Sequence, residues 1–443
     1  MQTLSSYLPW LIYGIPAAVA FVLYMRSYKA RTEVHQELLL ESVAAGLTEP
    51  PSLHPVVDLG RCIGSGACVK ACPEEALGVV DGKAVLVGAA HCIGHGACFP
   101  ACPVEAIKLV FGTEKRGIDI PVVKPNFESN VPGIFIAGEL GGMGLIRKAA
   151  EQGKQAMYSM ITRKGKPRPG QKDVVIIGAG PAGLGAGLAA IEKKVDYVII
   201  EQEDNLGGSV YHYPRNKIAM TAPVNLPVIG KMQFKEVRKE TLLEFWQGVV
   251  QKTQLNVKFR TRMEKIEHDP AGGFIVHTAQ EALHTRLVLL AIGRRGTPRK
   301  LDVPGEEQSK VVYRLIDPAQ YRGQHVTVVG GGDSALEAAI ALSEEDGTSV
   351  TLSYRSEAFS RVKEKNRQRL KEQQDAGRIR VELKSKVRAI HKDHLDFETT
   401  SGREQLPNDI IIICAGGILP TALLKDIGIS FSTKHGEVEE EES

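Results

Sequence analysis

Six of the seven cysteines in this 443-residue chain lie between residues 62 and 102, in two runs that match position by position at an offset of 30 residues. CIGSGACVKACPEEAL begins at Cys62 and CIGHGACFPACPVEAI at Cys92, each reading C-x5-C-x3-C-P. In a reducing compartment, cysteines at this density serve metal or clusters rather than disulfides. Zinc fits poorly, because the paired C-x2-4-C spacing of structural zinc sites is absent. What remains is a metal or cluster site built on soft thiolates.

The repeat resembles the two-cluster ferredoxins of bacteria, whose run is C-x2-C-x2-C-x3-C-P and whose fourth cysteine in each run serves the other cluster. The resemblance implies a small α+β ferredoxin-like domain over residues 56–112 holding two iron-sulfur clusters. One would take Cys62, Cys68 and Cys102, with Ser65 where the remaining cysteine is expected; the other would take Cys92, Cys98 and Cys72, with His95 in that place. Three outcomes stay open: a [3Fe-4S] core, a [4Fe-4S] cluster ligated by serine or histidine, or a [4Fe-4S] cluster with an open iron. Imidazole is an established iron-sulfur ligand that raises the potential, and serine is the weaker donor of the two.

A second chemistry is written in glycines. DVVIIGAGPAGL runs an apolar strand into Gly178, Gly180 and Gly183 of a GxGxxG turn, then a helix and a second apolar strand ending at Glu201. Here glycine permits the tight turn, the approach of backbone to a pyrophosphate and close helix-strand packing, while an acid about 20 residues on grips a ribose hydroxyl. HVTVVGGGDSALEAA repeats the unit with Gly330, Gly332 and Ala335 at the fingerprint positions. Its second strand ends in Ser353, Tyr354 and Arg355 with no acid. Arg355 and Arg361 suit a 2′-phosphate, which favours NADPH over NADH.

Residues 111–162 carry PGIFIAGEL from Pro132, a glycine-rich turn and a helix expected to begin near Gly144. This segment resembles the end of the FAD domain in thioredoxin reductase-like flavoproteins, yet it precedes the GxGxxG, so the chain reads as circularly permuted. RKGKPRPGQK (163–172) would join the displaced segment to the first strand. The resemblance implies FAD at the first glycine unit, with Gly138, Glu139 and Gly208 beside it and Glu139 standing for the family's Asp. Tyr211, His212 and Tyr213 are candidates to stack on or bond the flavin ring. No CxxC precedes the second glycine turn, and Cys414 sits in an apolar strand as a packed thiol. The whole is similar to the thioredoxin reductase-like ferredoxin-NAD(P)H reductases, with a ferredoxin fused on, and the resemblance implies a homodimer.

Residues 1–25 carry no charge, and Arg26, Lys29 and Arg31 follow. A span of ~20 apolar residues crosses the hydrocarbon layer, and the positive-inside rule would put the remainder in the cytoplasm. The expectation is a single-pass anchor over residues 1–30 in the cytoplasmic membrane, then an amphipathic helix and linker over 31–55. The expected fold class is α/β: two nucleotide-binding domains of the pyridine nucleotide-disulfide reductase type, a ferredoxin-like domain and one N-terminal transmembrane helix. The FAD domain would cover 113–298, the NAD(P) domain 299–408, with a return to the FAD domain and an acidic tail over 409–443.

A net charge of +3 with scattered basic residues excludes a nucleic-acid stripe. The function expected is an FAD-dependent NAD(P)H oxidoreductase passing electrons through FAD to the clusters and on to a redox carrier protein or quinone. Two alternatives are a direct flavin-dependent reductase of a small molecule or low-molecular-weight disulfide, and a membrane-tethered redox sensor.

Overall fold

The computed structural model describes residues 13–436 apart from 45–47, 51–52, 90–91, 93, 95, 116, 143–144, 214–217, 295, 360–361, 363 and 419. Two compact units result, Met1–Ile118 with Lys434–Ser443, and Asp119–Thr433.

In the first unit a 30-residue helix, Ile15–Ala44, runs unbroken through the expected boundary near residue 30. Its apolar part, Ile15 to Met25, is 11 residues and so ~16 Å long, about half a hydrocarbon layer. Among the described residues no helix is long and apolar enough to cross a membrane. The transmembrane helix and the single-pass location expected from sequence are therefore withdrawn; residues 1–12 of that span lie outside the described residues. The charged half of the helix is tied down instead. Thr32, His35, Leu38, Leu39 and Ser42 form its half-buried stripe at helical spacing. His35 Nδ1 accepts the Val79 N–H at 3.1 Å, and the Ser42 hydroxyl donates to the Val87 carbonyl at 2.6 Å. Gly78 permits this approach, since a Cβ there would sit 2.8 Å from the His35 ring.

The cysteine repeat folds as two matched halves. Strand His54–Val57 pairs antiparallel with Ile107–Val110, and Leu77–Val80 with Lys83–Leu86. The short helices Ala67–Ala71 and Cys98–Ala101 complete the halves. Cys62, Cys68, Leu77, Ala84, Cys98, Ala106 and Ile107 form the core, so thiols take the place that aliphatic side chains fill in an ordinary small domain.

The second unit contains a mixed sheet and a parallel sheet. In the first, Val257–Lys258, Tyr197–Ile200, Lys172–Ile177 and Ala282–Leu290 lie side by side in parallel. The nine-residue strand Ala282–Leu290 is long enough to hold two neighbours on its far edge: Phe274–Thr278 antiparallel along its first half, and Ile134–Ile136 parallel along its last. A strand that precedes the GxGxxG in sequence thus completes the sheet that follows it. Ile134, Phe135 and Ile136 are all buried, each contributing about 1.5–3 kcal/mol of hydrophobic burial. The following helix, Ile146–Ile161, crosses Pro181–Glu192 at paired glycines: a Cβ on Gly153 would collide with the Ala182 carbonyl, and one on Gly185 with that of Ala150. The joining segment is pinned by Arg168, which donates to Asp269 at 2.7 Å and to the Gly272 carbonyl at 2.9 Å.

The second sheet is five parallel strands in the order Val311–Val312, Ile410–Ile413, His325–Val329, Ser349–Tyr354 and Ile379–Leu383. Ile410–Ile413 belongs here, so the nucleotide domain extends past the boundary at 408 drawn from sequence. Beyond it, Leu424 and Ile429 return to the first sheet's core beside Val131 and Ile134.

Candidate functional site

The first glycine turn sits at the carboxyl end of Lys172–Ile177. Gly178 takes φ +109°, and a Cβ on it would lie 2.5 Å from the Ala291 carbonyl oxygen. Gly183 packs its helix so closely on the strand that a Cβ would collide with the Gly178 carbonyl. Gly180 is the N-cap of Pro181–Glu192 and faces Gly208, whose own φ is +54°. The helix N-terminus therefore opens on a backbone-lined concavity, the arrangement that receives phosphate.

Glu201 is buried at the end of Tyr197–Ile200. Its carboxylate accepts the Ala179 N–H at 2.7 Å and the Glu203 N–H at 3.0 Å. Burial raises its pKa, opposed by those backbone bonds. Gly138 has φ +82°, and its N–H donates to Gln152 at 2.9 Å. Glu139 stands in the turn Gly138–Gly141, next to the start of Ile146–Ile161; Met143 and Gly144, where that helix was expected to begin, lie outside the described residues. Gly138, Glu139, Ile146, Gly178, Gly180, Glu201 and Gly208 all line one cleft of ≈ 1520 Å³, room enough for a dinucleotide. Arg294, just after strand Ala282–Leu290, is within electrostatic reach of Glu139; burial lowers its pKa and Glu139 opposes that.

The second glycine turn lines a cleft of ≈ 1340 Å³. Gly330, at φ +154°, approaches the Cys414 carbonyl, and Gly332 N-caps Asp333–Ser343. Tyr354 lies over Gly331, where a Cβ would collide with its ring, and stacks on Phe359 at 5.4 Å. Arg355 is exposed and lines this cleft, as do Lys386 and Arg388 from a neighbouring hairpin. Arg361 lies outside the described residues.

The two clefts adjoin. His212, Tyr213, Pro298, Arg299, Tyr313 and Arg314 are among the residues that line both. Of the aromatic trio, His212 and Tyr213 face this shared wall, while Tyr211 turns aside to accept from Asn205 at 2.9 Å. Buried Lys239 holds the segment from behind, donating to the Tyr213 carbonyl at 2.6 Å. Nothing in sequence flags Lys239 or Arg294, since their partners are distant along the chain. Cys414 lines the second cleft, and burial pushes its thiol up to about 12, so it is protonated at neutral pH.

In the other unit the cysteines gather into two sets. Cys62, Cys68 and Cys102 line one small cavity with Ser65, and Cys72, Cys92 and Cys98 line another. The last cysteine of each run therefore crosses to the other run's cavity. Main-chain N–H groups approach the sulfurs: Gly64 and Ala84 at Cys62, at 3.5 and 3.4 Å, and Ala106 at Cys102, at 3.3 Å. Burial pushes up the Cys68 and Cys92 thiols, and that of Cys98 to about 12, with same-set sulfurs adding to each rise. Converging thiols, four of the six buried and two met by main-chain N–H groups, fit an iron-sulfur group by donor type, and a bound metal ion would displace their protons. His95 lies outside the described residues.

Fold and site together define a two-cleft dinucleotide oxidoreductase joined to a cysteine-cored domain. The profile of the pyridine nucleotide-disulphide oxidoreductase family matches residues 175–443, more than half the chain, and that of the 4Fe-4S dicluster domain matches residues 54–103. The chain belongs to the pyridine nucleotide-disulphide oxidoreductase family. It is 33% identical over 191 residues to the ferredoxin-NADP reductase of Lacticaseibacillus paracasei, covering 42% of this chain and 55% of that one. The match thus spans about half the length of that relative. It is 27% identical over 275 residues to the bacilliredoxin reductase Bdr of Bacillus subtilis, covering 60% and 83%. The solved bacillithiol disulfide reductase Bdr of Staphylococcus aureus shares the fold, with a TM-score of 0.50 and 23% identity over 59% of this chain and 84% of that one.

Proposed function

We propose that the chain draws electrons from NADPH and delivers them singly, by way of two iron-sulfur clusters, to a redox carrier protein. The observation that carries this is the shared wall at His212 and Tyr213, which lets two dinucleotide clefts meet, together with cysteines gathered three by three in the same chain. Gly138, Glu139, Gly178, Gly180, Gly183, Glu201 and Gly208 would hold FAD; Gly330, Gly332 and Arg355 would hold NADPH. Bound there, the flavin supplies the exchange between two-electron and one-electron transfer.

The chain's own part is positional. The helices that begin at Pro181 and Asp333 turn their N-termini, the positive ends of their dipoles, toward the glycine turns where phosphate would sit. Arg355 supplies a planar, permanent cation suited to a 2′-phosphate. Arg294, half-buried, keeps a positive charge within electrostatic reach of Glu139 at the first cleft. No acid, base or nucleophile of the chain is needed for hydride transfer.

A second reading, reduction of a low-molecular-weight disulfide, is favoured by the likeness to Bdr. Against it, among the described residues no cysteine lines the first cleft, and Cys414 in the second is held protonated. Stopped-flow measurement with Cys68→Ala and Cys98→Ala separates the two. The proposal expects NADPH to bleach the flavin at the unaltered rate while one-electron carrier reduction falls at least tenfold. Undiminished carrier reduction, or faster turnover of a disulfide such as oxidised bacillithiol, would overturn it.

A further inference from the structure

The corner occupied by Ser65 is described in full. Ser65 stands at the rim of the cavity lined by Cys62, Cys68 and Cys102, yet its side chain is exposed. Its Oγ accepts the N–H of Ala67, the first residue of helix Ala67–Ala71, at 3.4 Å. Gly64 and Gly66 on either side both take φ +68°, and a Cβ on Gly64 would collide with the Gly82 carbonyl, so the loop is fixed against the neighbouring turn. Moving Ser65 onto an iron would give up the bond to Ala67 and would require the hydroxyl to lose its proton, as metal ligands must. A hard oxygen is also a poor substitute for thiolate in an iron-sulfur set.

We propose, resting on the cluster assignment above, that the cluster at Cys62, Cys68 and Cys102 has three protein ligands and that the iron facing Ser65 is exchangeable. On oxidation, [4Fe-4S]2+ gives up one Fe2+ to solution and one electron to an outer-sphere oxidant, leaving [3Fe-4S]+. One electron and one Fe2+ reverse the step. The three thiolates stay bound throughout, and Ser65 keeps its bond to Ala67.

The test uses the full chain, prepared without oxygen, as wild type, Ser65→Ala and Ser65→Cys. Each is treated with ferricyanide, then with dithionite and Fe2+, and followed by spin-quantified EPR and iron content per chain. Wild type and Ser65→Ala are expected to lose the same iron, to gain the same three-iron signal, and to recover on adding Fe2+. Ser65→Cys is expected to keep one more iron per chain and to show one three-iron spin fewer. A Ser65→Ala protein that differs from wild type would make the hydroxyl a ligand and overturn the proposal. So would a Ser65→Cys protein indistinguishable from wild type. Intact protein without iron would instead overturn the cluster assignment itself.

Discussion

The two strand-turn-helix-strand units share one backbone plan and end in opposite chemistry. In each, the first N–H of the glycine turn donates to the carbonyl at the end of the next strand: Gly178 to Ile200 at 2.8 Å, Gly330 to Ser353 at 3.0 Å. Beyond that point the first unit places a buried carboxylate, Glu201, bonded back to its own glycine loop. The second places Tyr354 across Gly331 and an exposed cation at Arg355. One plan therefore yields two sites. The first is a cleft ended by a buried acid, and the second a cleft ended by an exposed cation.

The largest effect expected is at the helix-strand contact, where the units differ in tolerance. Gly183→Val has no room against the Gly178 carbonyl and should destabilise the chain by on the order of 3 kcal/mol, with loss of bound FAD, checked by denaturant melts and flavin content. Next is Arg355→Glu, which should raise the KM for NADPH by about tenfold or more, as expected for a charged hydrogen bond of ~1.5–3 kcal/mol. The KM for NADH should change little, and equal changes for both would remove Arg355 from phosphate recognition.

Glu201→Ala strands the Ala179 and Glu203 N–H groups and should cost about 1–3 kcal/mol in the apo protein. The same residue gives a pH signature. Because burial raises its pKa, ionising Glu201 in the folded chain is unfavourable. The stability of wild type relative to Glu201→Gln should fall as pH rises from the ordinary carboxylate range through the raised value, and level off above it. Smallest is Ala335→Gly, which restores the glycine of the first unit where the second carries alanine. It should cost about 1 kcal/mol by thermal melt, from helix propensity alone.

Both glycine turns were legible in sequence residue by residue, because each depends on local geometry that only certain residues allow. The exchange of Cys72 and Cys102 between cavities was also anticipated, through the ferredoxin resemblance. The N-terminal anchor was misread, because an apolar run of 11 described residues merges in sequence with the uncharged residues before it. What fixes the other half of that helix is His35 bonding Val79, a contact 44 residues apart that periodicity does not reveal. Lys239 behind Tyr213 and Arg294 beside Glu139 escaped for the same reason. Each is defined by partners that only the folded chain brings near.

The central claim is that electrons entering at the second cleft reach the cysteine-held clusters. Anaerobic titration with NADPH, following flavin absorbance and EPR on the same samples, tests it most directly. The account predicts that flavin bleaching is accompanied by the signals of reduced clusters, in the intact chain and without added carrier. A flavin that bleaches fully while iron, present in the protein, stays oxidised would contradict it.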